Sequence, residues 1–172
     1  MPIHKSKKTL VLDLDETLVH SSFTPVQGCD LELNVEIDGE SIDVYVSKRP
    51  GVDKFLDKMC QLYEVIIYTA SLRKYADPVI DFLDPKGLCA HRLFREHCTF
   101  FNGILVKDLS RLDWELQNTM IIDNSPASYL FHTECAIPIT SWYDDMSDTE
   151  LTQLVPILES LSQVDDVREY LK

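Results

Sequence analysis

Three short apolar runs, each closed by polar residues that can do chemistry, leave this chain few folds to adopt. Thr9-Leu10-Val11-Leu12 runs straight into Asp13-Leu14-Asp15-Glu16-Thr17, Val65-Ile66-Ile67 into Tyr68-Thr69-Ala70-Ser71, and Thr119-Met120-Ile121-Ile122 into Asp123-Asn124-Ser125-Pro126. Short runs without polar alternation are the mark of strands buried on both faces, and such strands build parallel sheets covered by helices. A parallel sheet gathers the carboxyl ends of its strands at one edge, where α/β folds keep their ligands. Asp13 and Asp15 would arrive there two residues apart. Side chains at i and i+2 share a strand face, but the turn that starts at Asp15 can re-aim the second. Two carboxylates so close call for a hard cation, a lysine or a retained proton. Lys107, behind Ile104-Leu105-Val106, is a lysine in the right place.

The remaining patterns fill in the architecture. Leu31, Leu33, Val35 and Ile37 alternate with acidic and polar residues, Asp38-Gly39 marks a turn, and Ile42, Val44 and Val46 resume the alternation. Residues 30–47 therefore read as an inserted β-hairpin with one wet, acidic side. Val52, Phe55, Leu56, Met59 and Leu62 predict a helix over about 51–62, followed by a strand at 63–69. Leu72 to Leu83 is helical in pattern, but Pro78 predicts a break there, with Asp77 capping a second short helix. Asn102-Gly103 predicts a tight hairpin that carries Lys107 toward the sheet edge. Further strands are expected at 119–123 and 135–139, a closing helix at Glu150–Leu161 bent near Pro156, and a helical turn within 165–171. Residues 1–8 read as a flexible tail.

At 172 residues the chain has the size of one domain, able to bury about two thirds of its unfolded surface. A formal net charge of −13 argues against direct nucleic-acid or anionic-membrane binding, both of which need clustered cations. The five cysteines are scattered and odd in number, which argues against a disulfide scaffold or a zinc ribbon and fits an intracellular protein of nucleus or cytoplasm. No apolar stretch is long enough to span a membrane, and the amino end lacks a signal-peptide core, so the chain reads as soluble.

Asp13-Leu14-Asp15-Glu16-Thr17-Leu18-Val19-His20, followed in order by Thr69, Lys107 and Asp123-Asn124, resembles the signature of haloacid-dehalogenase-type phosphatases. Lys48-Arg49-Pro50, Lys74 through Pro78, Leu93 through Glu96, Lys107 through Leu112, Ser141-Trp142 and Met146 through Leu151 bring the resemblance closer. They are similar to the small phosphatases of the RNA polymerase II C-terminal domain, over nearly the whole chain. The resemblance implies a single FCP1-homology-type phosphatase domain over 1–172. Its fold would be a Rossmann-like α/β core with a central parallel sheet flanked by helices, small β-hairpin insertions and no large cap domain. Only 38 positions separate Thr69 from Lys107, too few for a cap. Such relatives often carry amino-terminal extensions, so this chain is expected to be a trimmed catalytic domain.

The same resemblance assigns roles. Asp13 would be the nucleophile that takes the phosphoryl group as an aspartyl-phosphate, and Asp15 the general acid and then base. Thr69 and Lys107 would hold the phosphoryl oxygens, and losing Lys107 should lower turnover much more than stability. Mg²⁺ would sit on the Asp13 carboxylate, the Asp15 main-chain carbonyl and Asn124, with Asp123 a candidate acting through water. Phe23, Val35, Ile37, Val44, Leu72 and Tyr75 would line an apolar pocket for a substrate proline, with Arg95 on the phosphate or a flanking group. The implied substrate is a proline-directed phosphoserine peptide or protein. The alternatives are a phosphatase of another phosphoprotein, such as a regulator of lipid metabolism, or an inactive phosphopeptide-binding module.

Overall fold

A computed structural model describes residues 6–112 and 115–171. In chain order its elements are strands β1 (Lys8–Leu12), β2 (Val19–Ser22), β3 (Leu31–Ile37) and β4 (Glu40–Lys48), helix α1 (Val52–Leu62), strand β5 (Tyr63–Tyr68) and helix α2 (Arg73–Leu83). Strands β6 (His91–Leu93), β7 (Thr99–Phe101), β8 (Ile104–Val106), β9 (Thr119–Asp123) and β10 (Ala136–Pro138) follow, and helix α3 (Glu150–Leu161) comes last. Lys8 opens β1, so the tail expected over residues 1–8 ends before it; residues 1–5 lie outside the described part.

The three apolar runs are the centre of a five-stranded sheet in the order β10-β9-β1-β5-β6, with every pairing parallel. Leu10 lies beside Val65 on one side and Met120 on the other. All five residues of β1 and of β9 are buried. Alternation along β1 divides them between two cores: Leu10 and Leu12 pack with Phe55, Met59 and Ile80, whereas Val11 packs with Tyr68, Ile121 and Tyr129. Each fully buried Leu, Ile or Val contributes about 1.5–3 kcal/mol, so covering both faces is what holds these strands in line.

Two smaller sheets stand apart from the parallel sheet, one of them adding Val35, Val44 and Val46 to its core. The hairpin of β3 and β4 turns through Asp38 (φ 52°) and Gly39 (φ 79°), both in the left-handed region that a tight two-residue turn requires. Strand β2 adds to β4, giving a three-stranded antiparallel sheet where the sequence reading had two strands. Strands β7 and β8 form a ribbon of their own through Asn102 and Gly103.

Helix α2 departs from the reading at Pro78: it runs unbroken from Arg73 to Leu83, and Asp77 caps nothing. Proline removes one N–H, and the acceptor that loses it is the carbonyl of Lys74, an exposed residue in the first turn. Water can satisfy that oxygen. Ala76, Val79, Ile80 and Leu83 keep the apolar face buried on both sides of the proline. Helix α3 likewise continues past Pro156, whose missing partner would be the carbonyl of exposed Thr152. Strand β6, at the sheet edge with His91 exposed and Arg92 and Leu93 half-buried, has no counterpart in the sequence reading. Among the described residues no helix is long and apolar enough to cross a membrane.

Candidate active site

Backbone geometry at the end of β1 separates the two acids. The Asp13 N–H donates to the Ile122 carbonyl at 3.0 Å, carrying the β1 to β9 ladder one residue further. The chain then turns, with the Leu14 carbonyl accepting from the N–H groups of Thr17, Leu18 and Val19. Glu16 sits at φ 58°, a left-handed conformation costing a non-glycine residue about 1–2 kcal/mol. Its N–H donates to the Val19 carbonyl at 2.7 Å and its carbonyl accepts from the Trp142 N–H at 2.8 Å, which fixes the turn. Asp13 and Asp15 therefore point to different partners.

Asp13 is 7% exposed and faces Lys107, whose Nζ donates to Asp13 Oδ1 at 2.8 Å and to Asp123 Oδ2 at 2.6 Å. Lys107 is fully buried. Burial alone would lower its pKa, but the two carboxylates more than offset that and hold it charged, above the ordinary lysine value. Burial pushes the Asp123 carboxyl up to about 6, against the pull of Lys107. Three elements meet here, because β1 delivers Asp13, β9 delivers Asp123, and Lys107 comes from the β7–β8 ribbon. The main sheet thus supplies only part of the cluster.

The Thr17 hydroxyl lies 2.9 Å from Asp13 Oδ2 and 3.3 Å from Asn124 Oδ1, so those two oxygens converge on one point. Asn124 is held from the other side by its Nδ2, which donates to Ser141 Oγ at 2.9 Å. The Asp15 main-chain carbonyl accepts no hydrogen bond among the described residues. Carboxylate, amide and main-chain oxygens of this kind are the donor set of a hard divalent cation. Among the described residues no three His, Cys, Asp or Glu side chains converge to hold a metal, so a cation here would rely on the amide and carbonyl oxygens. These residues fit Mg²⁺. Asp123 already serves Lys107 and the Ser125 N–H, 2.9 Å from its Oδ1.

Asp15 is gripped by hydroxyls. Ser71 Oγ donates to its Oδ2 at 2.6 Å and the Tyr75 hydroxyl to its Oδ1 at 2.6 Å, while Thr69 Oγ1 stands 3.5 Å from Oδ2. Burial raises the Asp15 pKa and Asp13 raises it further, more than the hydroxyls and Lys107 lower it. Tyr75, itself pushed up by burial and by Asp15, remains a neutral donor and also contacts Ser21 Oγ. Ser71 and Thr17 lie inside recognised motifs but had no assigned role; a hydroxyl two residues after Thr69 was the available signal for Ser71.

All seven residues expected to bind substrate, Phe23, Val35, Ile37, Val44, Leu72, Tyr75 and Arg95, line one cavity of about 350 Å³ beside Asp15 and Glu16. Their burial differs. Val35 and Val44 belong to the core as well, at 4% and 3% exposed, whereas Phe23 is 75% exposed at the rim. A second, open cleft holds Asp13, Thr69, Lys107, Asp123 and Asn124, and shares Asp15, Glu16, Ser71 and Arg95 with the first. Arg95 spans both, anchored by Nε donating to the Ala70 carbonyl at 2.7 Å.

Arg49 had no role assigned. Its fully buried guanidinium donates to Asp148 through Nε at 2.8 Å and Nη2 at 2.9 Å, and to Glu150 Oε2 at 2.6 Å. Nη1 reaches the carbonyls of Thr17, 3.2 Å, and Thr140, 3.0 Å. One side chain thereby joins the turn after β1 to the start of α3.

The family model described as NLI interacting factor-like phosphatase matches residues 8–168. The human CTD small phosphatase-like protein is 59% identical over 165 residues, covering 96% of this chain and 60% of that protein. The probable C-terminal domain small phosphatase of Dictyostelium discoideum is 57% identical over 168 residues, covering 98% of this chain and 55% of the relative. The chain thus spans little more than half the length of these relatives. Among solved structures, the fission yeast RNA polymerase II CTD phosphatase Fcp1 bound to beryllium fluoride superposes with a TM-score of 0.67 at 21% identity. It covers 96% of this chain and 53% of that one, and so shares the fold.

Proposed function

Because the chain belongs to the NLI interacting factor-like phosphatase family, we propose that it is a Mg²⁺-dependent protein serine/threonine phosphatase acting on Ser-Pro sites of the RNA polymerase II C-terminal domain. The observation that carries this reading is the division of labour between the two acids. Asp13 is buried with one carboxylate oxygen 2.8 Å from the Lys107 ammonium, whereas Asp15 is held by hydroxyls with its pKa raised by burial.

Chemistry follows from those environments. The Asp13 carboxylate attacks phosphorus, the bond from phosphorus to the serine oxygen breaks, and Asp15 passes its proton to the departing oxygen. Asp15, now ionised, accepts a proton from water as that water attacks the aspartyl-phosphate. The bond from Asp13 to phosphorus breaks, inorganic phosphate leaves, and Asp15 is protonated again. Lys107 and Thr69 stand where they can hold equatorial phosphoryl oxygens. Mg²⁺, held by the Asp13 carboxylate, the Asp15 carbonyl and Asn124, would neutralise charge on the phosphoryl group.

An open cleft beside an apolar cavity supports a peptide substrate over a metabolite. Between β5 and Lys107 the described chain provides only α2, β6, short turns and the β7–β8 ribbon, none of which makes a lid. A proline, stiff before binding, suits the cavity of Phe23, Val35 and Leu72. The name of a human relative 57% identical over 166 residues, carboxy-terminal domain RNA polymerase II polypeptide A small phosphatase 1, supports the polymerase tail as substrate.

The test is hydrolysis of singly phosphorylated Ser-Pro heptad peptides with Mg²⁺ and with EDTA, together with mass spectrometry of acid-quenched enzyme. Turnover that needs Mg²⁺ and a phosphoryl adduct on the peptide bearing Asp13 are expected. An adduct elsewhere, or turnover by Asp13→Ala, overturns the mechanism. Phe23→Ala should raise KM for these peptides about tenfold and spare an aryl phosphate, and equal effects on both would refute the proline pocket. Tyr75→Ala cannot separate the two, because the Tyr75 hydroxyl binds Asp15.

A further inference from the structure

The apolar cavity accounts for one end of the cleft. At the other end stand Gly103, Ile104 and Leu105 of the β7–β8 ribbon, and Ala127 and Ser128 of the loop after β9. Both segments run outward into exposed aromatic residues. Phe101 pairs across the ribbon with Ile104 and so shares its face, and its ring meets Phe131 edge to face at 5.2 Å. Phe131 follows three residues after Ser128, whose carbonyl accepts the Lys107 N–H at 2.8 Å.

Phe101 is 41% exposed and Phe131 37%, and neither belongs to the two packed cores. Their burial does not explain them. A two-stranded ribbon gains little stability from its own pairing, and solvent-facing positions on it are ordinarily polar. An aromatic pair, uncharged on a protein of net charge −13, is a surface suited to apolar side chains.

We propose that Phe101, Phe131 and Ile104 form a second substrate subsite, one that receives an apolar side chain on the flank of the phosphoserine opposite to the proline. The inference rests on the peptide-phosphatase reading and extends it. Asp15, Glu16, Ser71 and Arg95, shared by the cavity and the cleft, mark where the phosphoserine must pass between the two ends. An extended peptide with its proline in the cavity and its phosphate at Asp13 continues over the ribbon, because the ribbon forms the far wall of the same cleft. Selectivity would come from two apolar anchors spaced on either side of the reacting group.

Two series of phosphoserine peptides test this. In each the proline is fixed on one flank, and leucine, tyrosine or glycine occupies successive positions of the same flank or of the opposite one. The enzyme is expected to prefer leucine or tyrosine over glycine about tenfold in kcat/KM, on the opposite flank only. Phe101→Ser and Phe131→Ser, placed on separate segments so that a misfolded ribbon cannot mimic the effect, should each bring that ratio close to one. Phe100→Ser, on the other face of the ribbon, should leave the ratio as it is. Turnover of peptides without a flank preference, or a preference that survives both substitutions, overturns the subsite while leaving the phosphatase reading intact. Hydrolysis of an aryl phosphate with none of any peptide overturns the peptide reading and the subsite together. Sedimentation showing a dimer that Phe101→Ser dissolves, with the peptide ratio unchanged, would assign the aromatic pair to self-association and refute the proposal.

Discussion

Replacing Lys107 by methionine keeps most of the side-chain volume and removes the one charge that Asp13 and Asp123 share. In the wild type Asp123, 1% exposed, is ionised above about pH 6 because Lys107 is beside it. Without the ammonium, burial and the facing Asp13 hold the proton on Asp123 to much higher pH. The unfolded chain gives its proton up near pH 3.9. A folded pKa raised above the unfolded one contributes stability that is present at low pH and lost as pH rises through it. The wild type stops losing stability at about pH 6, whereas the variant keeps losing about 1.4 kcal/mol for each further pH unit. Its deficit should therefore grow by about 2.7 kcal/mol between pH 6 and pH 8. Added to about 1–3 kcal/mol for the lost hydrogen bonds, the total at pH 8 is about 4–6 kcal/mol, close to the cost of stripping one partner from a buried ion pair. Urea unfolding in EDTA at both pH values, with equal m-values for variant and wild type, measures the difference. A deficit that is the same at pH 6 and pH 8 would refute the argument. Loss of turnover is expected as well, but burial makes the stability cost much larger than the sequence alone implied.

Asp15→Asn should lower kcat for phosphoserine peptides by about 10²–10⁴ while leaving the urea midpoint unchanged or higher at pH 8. Burial disfavours the ionised carboxyl there, and an amide of the same shape carries no charge; a midpoint that falls with the rate would make Asp15 structural. The wild-type rate on alkyl phosphates should fall as pH rises through the raised Asp15 pKa, and a flat profile from pH 5 to pH 8 would count against Asp15 as acid. Arg49→Lys cannot reproduce the fork that spans Asp148, Glu150, Thr17 and Thr140, and with Glu150 34% exposed water recovers part of the loss. A deficit of about 2–3 kcal/mol, read as a drop of roughly 5–10 °C in Tm, is expected, and a drop under 2 °C would show the fork to be dispensable.

Strands β1, β5 and β9 were legible because fully buried strands write themselves as unbroken apolar runs. Asp13, Lys107 and Asp123 could be read from their positions after such runs or after a tight hairpin. Strand β6 could not, since His91-Arg92-Leu93 is too short and too polar to show a period. Pro78 misled because propensity weighs the lost donor and not the acceptor left behind, which here faces water at Lys74. The hydroxyls around Asp15 were half visible: Thr69 and Ser71 share a motif, but Tyr75 reaches Asp15 only because α2 packs beside that turn. Arg49 stayed hidden for a different reason. Its acids lie 99 and 101 positions away, a distance at which no local pattern survives.

That separation bears on how the chain comes to fold. During synthesis the chain grows by about 5–20 residues each second from its amino end. The stretch bearing Asp13 therefore emerges long before Asp148 and Glu150 exist to neutralise the buried guanidinium under its turn. A nascent chain can possess Asp13 and still lack the brace under its turn, so the proposed activity should come only once α3 docks. Removing α3 would be expected to silence the proposed activity from a distance.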